Sequence, residues 1–240
     1  MENIELIVND ICKWIVDIKE TSSSKGFVLG ISGGKDSAVV AGLLVKAVGK
    51  ENVLGVMMPN DIQPDISDSE QVCKDLGIPH ITVNINDAYK GLVGNLPELN
   101  NKETSINIQP RLRMTVLYAL AQEKGYLVCG TGNRSESYIG YCTKWGDTAS
   151  DLNPIFSFNT EEVIAIGDYL GVTKSVVHKT PTDGLSGKSD EEKIGFTYEE
   201  LNSYIATGMI TDSTKKEKID KMHKTSRHKV EPIPTFKRIK

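Results

Sequence analysis

Six consecutive residues, Ser32-Gly33-Gly34-Lys35-Asp36-Ser37, gather two glycines, two hydroxyls, an ammonium and a carboxylate between two apolar runs. Gly33 and Gly34 let backbone N–H groups approach a bulky anion with no side chain in the way. A helix opening near Asp36 aims its positive end at the same spot. A phosphate or pyrophosphate suits these groups, with Ser32, Ser37 and Lys35 adding hydroxyls and a mobile cation. The Asp36 carboxylate would repel such a guest on its own. It fits if it holds Mg2+ that bridges to phosphate oxygens. The plainer alternative is a glycine turn capped by serine and aspartate that binds nothing.

Two known phosphate templates fail here. The Walker loop needs Ser or Thr after Gly34-Lys35 and a glycine five residues before Gly34; the chain has Asp36 and Leu29. The dinucleotide fingerprint fails at Ser32, two residues after Gly30. A second polar stretch, GTGNRSESYIGYCTKWGDTASDLNPI, fills 130–155. Its start is nearly that fingerprint, with Ser135 for the last glycine and Asp151 about twenty residues on. A dinucleotide site there would leave residues 30–37 and the dense polar run 141–154 unexplained.

Both stretches need a frame. Ile4, Ile7, Ile11, Trp14, Ile15 and Ile18 recur at helical spacing and predict one amphipathic helix over 4–18. The short apolar run at 27–31 reads as a buried strand, and 52–59, 80–85 and 126–130 read as three further strands. Helices are expected at 36–48, 87–93, 109–124 and 135–139, with Pro110 near the first turn of the third, where proline is tolerated. Capping boxes at Ser67–Glu70, Asn159–Glu162, Thr197–Glu200 and Thr214–Glu217 open four more. The alternation predicts an α/β fold: a single domain over 1–240 with a mostly parallel sheet and helices on both faces. Ligands in such sheets bind beyond the carboxyl ends of strands, where both polar turns fall.

Composition bounds the function. Hydrophobic residues make up 39% and charged residues 25%, ordinary for a soluble globular chain. The net charge of -4 argues against nucleic acid as the partner. Residues 215–240 hold ten Lys/Arg and three Asp/Glu, a local +7, so the remainder carries -11. A solvated helix face is the plain reading of that basic tail. Cys12, Cys73, Cys129 and Cys142 form no C-x-x-C pair, which leaves zinc ribbons and thioredoxin-like motifs unsupported. The amino terminus lacks a signal-peptide pattern and no apolar run is long enough to span a bilayer, so a cytoplasmic setting and no membrane partner are expected.

The S-G-G-x-D-S loop after a strand closely resembles the pyrophosphate loop of the N-type ATP pyrophosphatases. The ordered set from 130 to 155, with Met57-Met58-Pro59, RLRM at 111–114, GFTYEEL at 195–201 and His228-Lys229, resembles the ammonia-dependent NAD synthetases over almost the whole chain. That resemblance implies an adenine nucleotide alpha-hydrolase-like fold. It also implies a ligase that amidates deamido-NAD to NAD with ATP and ammonia, the final step of NAD biosynthesis, releasing AMP and pyrophosphate.

The resemblance further implies roles residue by residue. Gly30, Ile31, Ser32, Gly33, Gly34, Lys35, Asp36 and Ser37 hold the ATP phosphates, and Thr131, Thr160 and Thr182 match other ATP positions. Asp36 and Glu136 are the magnesium ligands and, with Lys35, the catalytic set. Arg111, Lys144, Asp151, His228 and Lys229 match deamido-NAD positions. Plain alternatives are a solvated helix face for Arg111 and Arg113, a surface ion pair for Lys144 and Asp151, and a loose tail for His228-Lys229. The family places deamido-NAD at a subunit interface, which implies a homodimer; the Ile4/Ile7/Ile11/Trp14 face is one surface for it, or could pack within the monomer.

Three departures stand out. Thr160 occupies a position that is usually lysine, and Lys188 or Lys174 is the candidate replacement. The loop 182–195 is about one residue short and lacks Trp-Pro, and Gln109-Pro110 replaces the frequent Lys-Ala. Two competing readings are a tRNA-modifying pyrophosphatase, which the acidic core and missing C-x-x-C disfavour, and a nucleotide-binding module without catalysis, which Asp36 with Glu136 disfavours. No glutaminase context surrounds any of the four cysteines, so ammonia, free or supplied by a partner, is the expected nitrogen donor.

Overall fold

The computed structural model describes residues 3–62, 66–179 and 189–238. Four parallel strands form one sheet in the order β3-β2-β1-β4: β1 (Gly26–Gly30), β2 (Val53–Met57), β3 (His80–Thr82) and β4 (Tyr126–Val128). Phe27 pairs with Val53 on one side of β1 and with Leu127 on the other. The chain therefore runs outward from β1 to β3, then returns to place β4 on the opposite flank of β1. That reversal opens a crevice between the carboxyl ends of β1 and β4.

Side chains alternate across the sheet as strand geometry requires. Phe27 and Leu29 enter one core with Val39 and Leu43 of α2 (Lys35–Val48) and with Val163 and Ile166 of α7 (Thr160–Leu170). Val28, Leu54 and Val56 face the other way and meet Leu117 and Ala121 of α5 (Lys102–Lys124). Helices thus cover both faces, as the sequence predicts. The first helix, α1 (Ile4–Thr21), packs Val8, Ile11 and Ile15 into the first core, with Ile4 and Ile7 against it. Its apolar face is spent within the monomer; Leu6 and Trp14 stay exposed.

A third cluster is built mainly by helices. It joins Ile139 of α6 (Arg134–Ile139), Ile194 of α9 (Asp190–Ile194), Tyr198 and Leu201 of α10 (Tyr198–Thr207) and Ile219 of α11 (Ser213–Ser226). The remaining helices are α3 (Ile66–Leu76), α4 (Asn86–Val93) and α8 (Lys174–Val177).

Several boundaries differ from the sequence reading. The long helix begins seven residues early, at Lys102, where Asn101 accepts the Glu103 N–H at 2.9 Å. Residues 102–108 carry no apolar period, so only the cap marked this start. Pro110 consequently lies inside α5, where it leaves the Ile106 carbonyl without its helical donor; both residues line the cavity described below. Asp212, not Thr214, caps α11, because its carboxylate accepts from two N–H groups, those of Thr214 and Lys215. Helix α3 starts at Ile66, ahead of Ser67. The boxes at Asn159–Glu162 and Thr197–Glu200 form as expected.

Candidate active site

The phosphate-type loop leaves β1 at Gly30 and enters α2 at Lys35. Gly33 takes φ +80°, a left-handed conformation that favours glycine. Both serines tie the turn to itself. Ser37 Oγ donates to the Gly34 carbonyl at 3.1 Å and accepts the Ser32 N–H at 3.2 Å, while Gly34 N–H donates to Ser32 Oγ at 3.2 Å. Lys35 is buried, with its Nζ 3.0 Å from Asp36 Oδ2. Burial pulls the Lys35 ammonium down, but Asp36, Glu136 and Asp190 outweigh it and leave it above the usual lysine range.

The second stretch leaves β4 and enters α6 through Asn133. This residue does three things at once. Its Oδ1 accepts the Glu136 N–H at 3.0 Å, its own N–H donates to Glu136 Oε2 at 3.1 Å, and its Nδ2 donates to Asp36 Oδ1 at 3.0 Å. One capping box therefore joins the two carboxylates proposed from sequence. Desolvation, then the nearby charge of Asp36, push the Glu136 carboxyl well above the usual carboxylate range. Two such groups fit a divalent cation that neutralises them. Among the described residues no cluster of three or more His, Cys, Asp or Glu side chains could hold a metal. The carboxyl pair itself is a set of the size by which Mg2+ is commonly held, with substrate phosphates and water completing its shell.

The crevice between these turns is a cavity of about 920 Å³ lined by residues of both. That is room for a large nucleotide substrate. Thr131 lines it; so do five cations, Lys35, Arg113, Lys179, Lys193 and Lys229, interleaved with five carboxyl groups, those of Asp36, Glu103, Glu136, Asp147 and Asp190.

The other sequence-proposed residues divide. Lys229 reaches the cavity, its Nζ donating to the carbonyls of Gly140 at 2.7 Å and Cys142 at 2.9 Å. Arg111, Lys144 and His228 gather outside it: Arg111 Nε donates to the Lys144 carbonyl at 3.2 Å, and Lys144 Nζ lies 3.5 Å from His228 Nδ1. Asp151 is engaged in the fold, Oδ2 accepting the Val128 N–H at 2.8 Å and Oδ1 the Tyr118 hydroxyl at 3.3 Å. The Thr160 hydroxyl is buried and accepts from Asn202 Nδ2 at 3.0 Å, in a network with Ser135. Lys174 is exposed on α8 and does not line the cavity, so it does not stand in for a lysine at 160. Thr182 and Lys188 lie outside the described residues.

The sequence reading missed several groups in or behind the cavity wall. Asn133 was legible as an Asn133–Glu136 capping box. Asp190 was legible as the residue after the Ser189 cap of a Ser189–Glu192 box; its carboxylate accepts the Tyr141 hydroxyl at 3.0 Å. Asp147, whose carboxyl burial pushes up, accepts the Thr143 N–H at 2.8 Å; it lies within the 130–155 stretch but was given no role there.

Comparison with known proteins agrees with this geometry. The family model for NAD synthase matches residues 7–238. The chain belongs to the NAD synthase family. An NH(3)-dependent NAD(+) synthetase of Finegoldia magna is 41% identical over 229 residues, covering 95% of this chain and 94% of that protein. One from Thermococcus sibiricus is 43% identical over 232 residues, covering 96% and 91%. Among solved structures, the NMN synthetase of Francisella tularensis superposes with a TM-score of 0.91 at 34% identity, covering 98% of this chain and 99% of that one.

Proposed function

We propose that this member of the NAD synthase family converts deamido-NAD to NAD, using ATP and ammonia, with the whole chain acting as one catalytic unit. The observation that carries the reading is the Asn133 bridge, which brings Asp36 and Glu136 together at the crevice between β1 and β4.

A carboxylate is a poor acyl donor because oxide is a poor leaving group. The nicotinate carboxylate attacks the α-phosphorus of ATP, the α–β P–O bond breaks, and pyrophosphate departs. Lys35 and the N–H groups around Gly33 and Gly34 stabilise the charge that gathers on the leaving group. Asp36 and Glu136 would hold Mg2+, which supplies further charge neutralisation at the phosphates. Ammonia then adds to the acyl carbon, the C–O bond to AMP breaks, and loss of a proton from nitrogen leaves the amide. Positioning and electrostatics account for the acceleration, and no covalent enzyme intermediate is needed.

The assay is direct: ATP, deamido-NAD and ammonium should yield AMP, pyrophosphate and NAD in equal amounts. AMP release without NAD would defeat the amidation reading. The likeness to an NMN synthetase favours a second reading, in which the acid form of the mononucleotide is the preferred acceptor. Running both acceptors in parallel decides it, since the preferred one shows the higher kcat/KM.

The homodimer belongs to the same proposal, with a different surface from α1. Exposed Ile81, Leu92, Leu96, Ile106 and Tyr118 lie on β3, α4, α5 and the chain between those two helices. No residue of α4 is buried, although it carries Leu92 and Val93. A second copy of the chain is the proposed cover. No helix among the described residues is long and apolar enough to cross a membrane, and the proposed setting is the cytoplasm.

A further inference from the structure

Tyr198 opens α10, one residue after its cap Thr197. Its side chain is 6% exposed and packs in the third cluster with Ile139 of α6, Ile194 and Leu201. The main chain is fixed there, since the Tyr198 N–H donates to Glu191 Oε1 at 2.8 Å. Its hydroxyl oxygen is buried and has no hydrogen-bond partner among the described residues. Buried hydroxyls are normally paired, and an unpaired one is a net cost to the fold. A phenylalanine would fill the same space without that cost.

The surroundings indicate what the hydroxyl is for. Burial first, then the charges of Glu136, Asp190 and Asp36 in that order, push the Tyr198 phenol above its usual range. Ile139, against which the ring packs, lies three residues after Glu136 on α6, so the phenol is a donor on the side of the helix that carries that carboxyl group. The other phenol at the site, Tyr141, already donates to Asp190 Oδ1. Glu136 Oε2 takes the Asn133 N–H, which leaves Oε1 for the cation or a further donor.

We propose that Tyr198 is a positioning residue for the magnesium centre, its hydroxyl kept unpaired in the cation-free fold so that it can donate to the Glu136 carboxylate when the cation is bound. This deepens the reading of Asp36 and Glu136 as magnesium ligands and rests on it. Thr197 and Glu200 cap α10, and Asn202 ties it to α6 by accepting the Ser135 hydroxyl at 2.6 Å, so the hydroxyl is carried by a helix fixed against the one that bears Glu136. The cation-loaded state then gains a hydrogen bond that the empty state lacks, and the cost is borne by the empty fold.

Full-length wild type and Tyr198→Phe are compared by two measurements. The first is Mn2+ affinity, by electron paramagnetic resonance, with α,β-methylene-ATP present so that the α–β bond cannot break. The second is the Tm of the metal-free protein. The expected result is a metal-free Tm equal to or above wild type, with Mn2+ affinity weakened about tenfold, the worth of one hydrogen bond to a charged group. Unchanged Mn2+ affinity overturns the inference. So does a lowered metal-free Tm, because the hydroxyl would then be stabilising the empty fold. If wild type itself shows no saturable Mn2+ binding, the magnesium reading fails first, and the two failures are told apart by that control.

Discussion

Asn133 and Asp36 stand ninety-seven residues apart in the chain, yet the Asn133 Nδ2 donates to Asp36 Oδ1 at 3.0 Å. The same asparagine caps the helix that carries Glu136. A single residue thus sets the separation of two carboxyl groups whose charges would repel each other if both were ionised without a cation. The cap is local chemistry. The bond to Asp36 exists only because β4 returns to lie beside β1.

Asn133→Ser separates these two roles. Serine is a good helix cap and can still accept the Glu136 N–H, but it is too short to reach Asp36. Its effect on Tm should be small, within about 1 kcal/mol of stability, while Mg2+-dependent turnover should fall about tenfold, the worth of a hydrogen bond to a charged group. Melting curves and steady-state rates over a Mg2+ series check it. A variant with wild-type Mg2+ dependence would remove Asn133 from the site.

Glu136 gives stability a pH signature. Its folded-state carboxyl lies above the ordinary carboxylate range, so the metal-free fold holds a proton that the unfolded chain has already lost. Stability contributed this way is present in acid and is lost as pH rises from the unfolded value through the raised folded one. The metal-free Tm should therefore drop between about pH 5 and about pH 8 through this group. Glu136→Gln should flatten that slope and also abolish NAD formation. An unchanged slope in the variant would mean that another group causes it.

How much of this was legible in the sequence follows from the range of each interaction. The strands, α1, α2 and the loop at 30–37 were readable because apolar period and glycine spacing act within a few residues. The start of α5 was missed because residues 102–108 hold only Ile106 and Ile108, two residues apart and off the helical spacing, leaving the Asn101 cap as its only mark. Asn133 and Asp190 sat in plain capping boxes, but nothing local says which box faces a cavity. The likeness to known relatives supplied Arg111, Lys144 and His228 as a group, and these do meet in space. It also supplied Thr160, whose hydroxyl is turned into the Asn202–Ser135 network that no pattern foretold.

Gly140 is a stability position next to the site. It ends α6 at φ +66°, and an added Cβ would collide with Ser226 at the end of α11. Gly140→Ala combines backbone strain with overpacking and should cost about 3 kcal/mol. Chemical denaturation measures this directly. A loss of less than about 1 kcal/mol, the size of an ordinary surface change, would show that α11 moves aside freely.

His228 and Lys229 are neighbours with separable duties. Lys229 Nζ donates to the carbonyls of Gly140 and Cys142, so it pins the turn that follows Glu136's helix and lines the cavity. His228 is exposed and faces Lys144 outside the cavity, where nothing in the fold depends on it. Lys229→Ala removes two charge-assisted bonds to backbone oxygens. It should lower Tm and reduce kcat with either substrate limiting, by about tenfold. His228→Ala should leave Tm unchanged and raise the KM for deamido-NAD about threefold, a modest hydrogen-bond loss, with the KM for ATP unaltered. Truncating the tail would mix these effects, because Arg227 also anchors it, donating to the carbonyls of Ser137 and Tyr138 at 2.7 Å. The point variants keep that anchor. Equal effects of His228→Ala on both KM values, or none on either, would return His228 to the solvated surface. Wild-type stability in Lys229→Ala would mean that the 140–142 turn is held by other contacts.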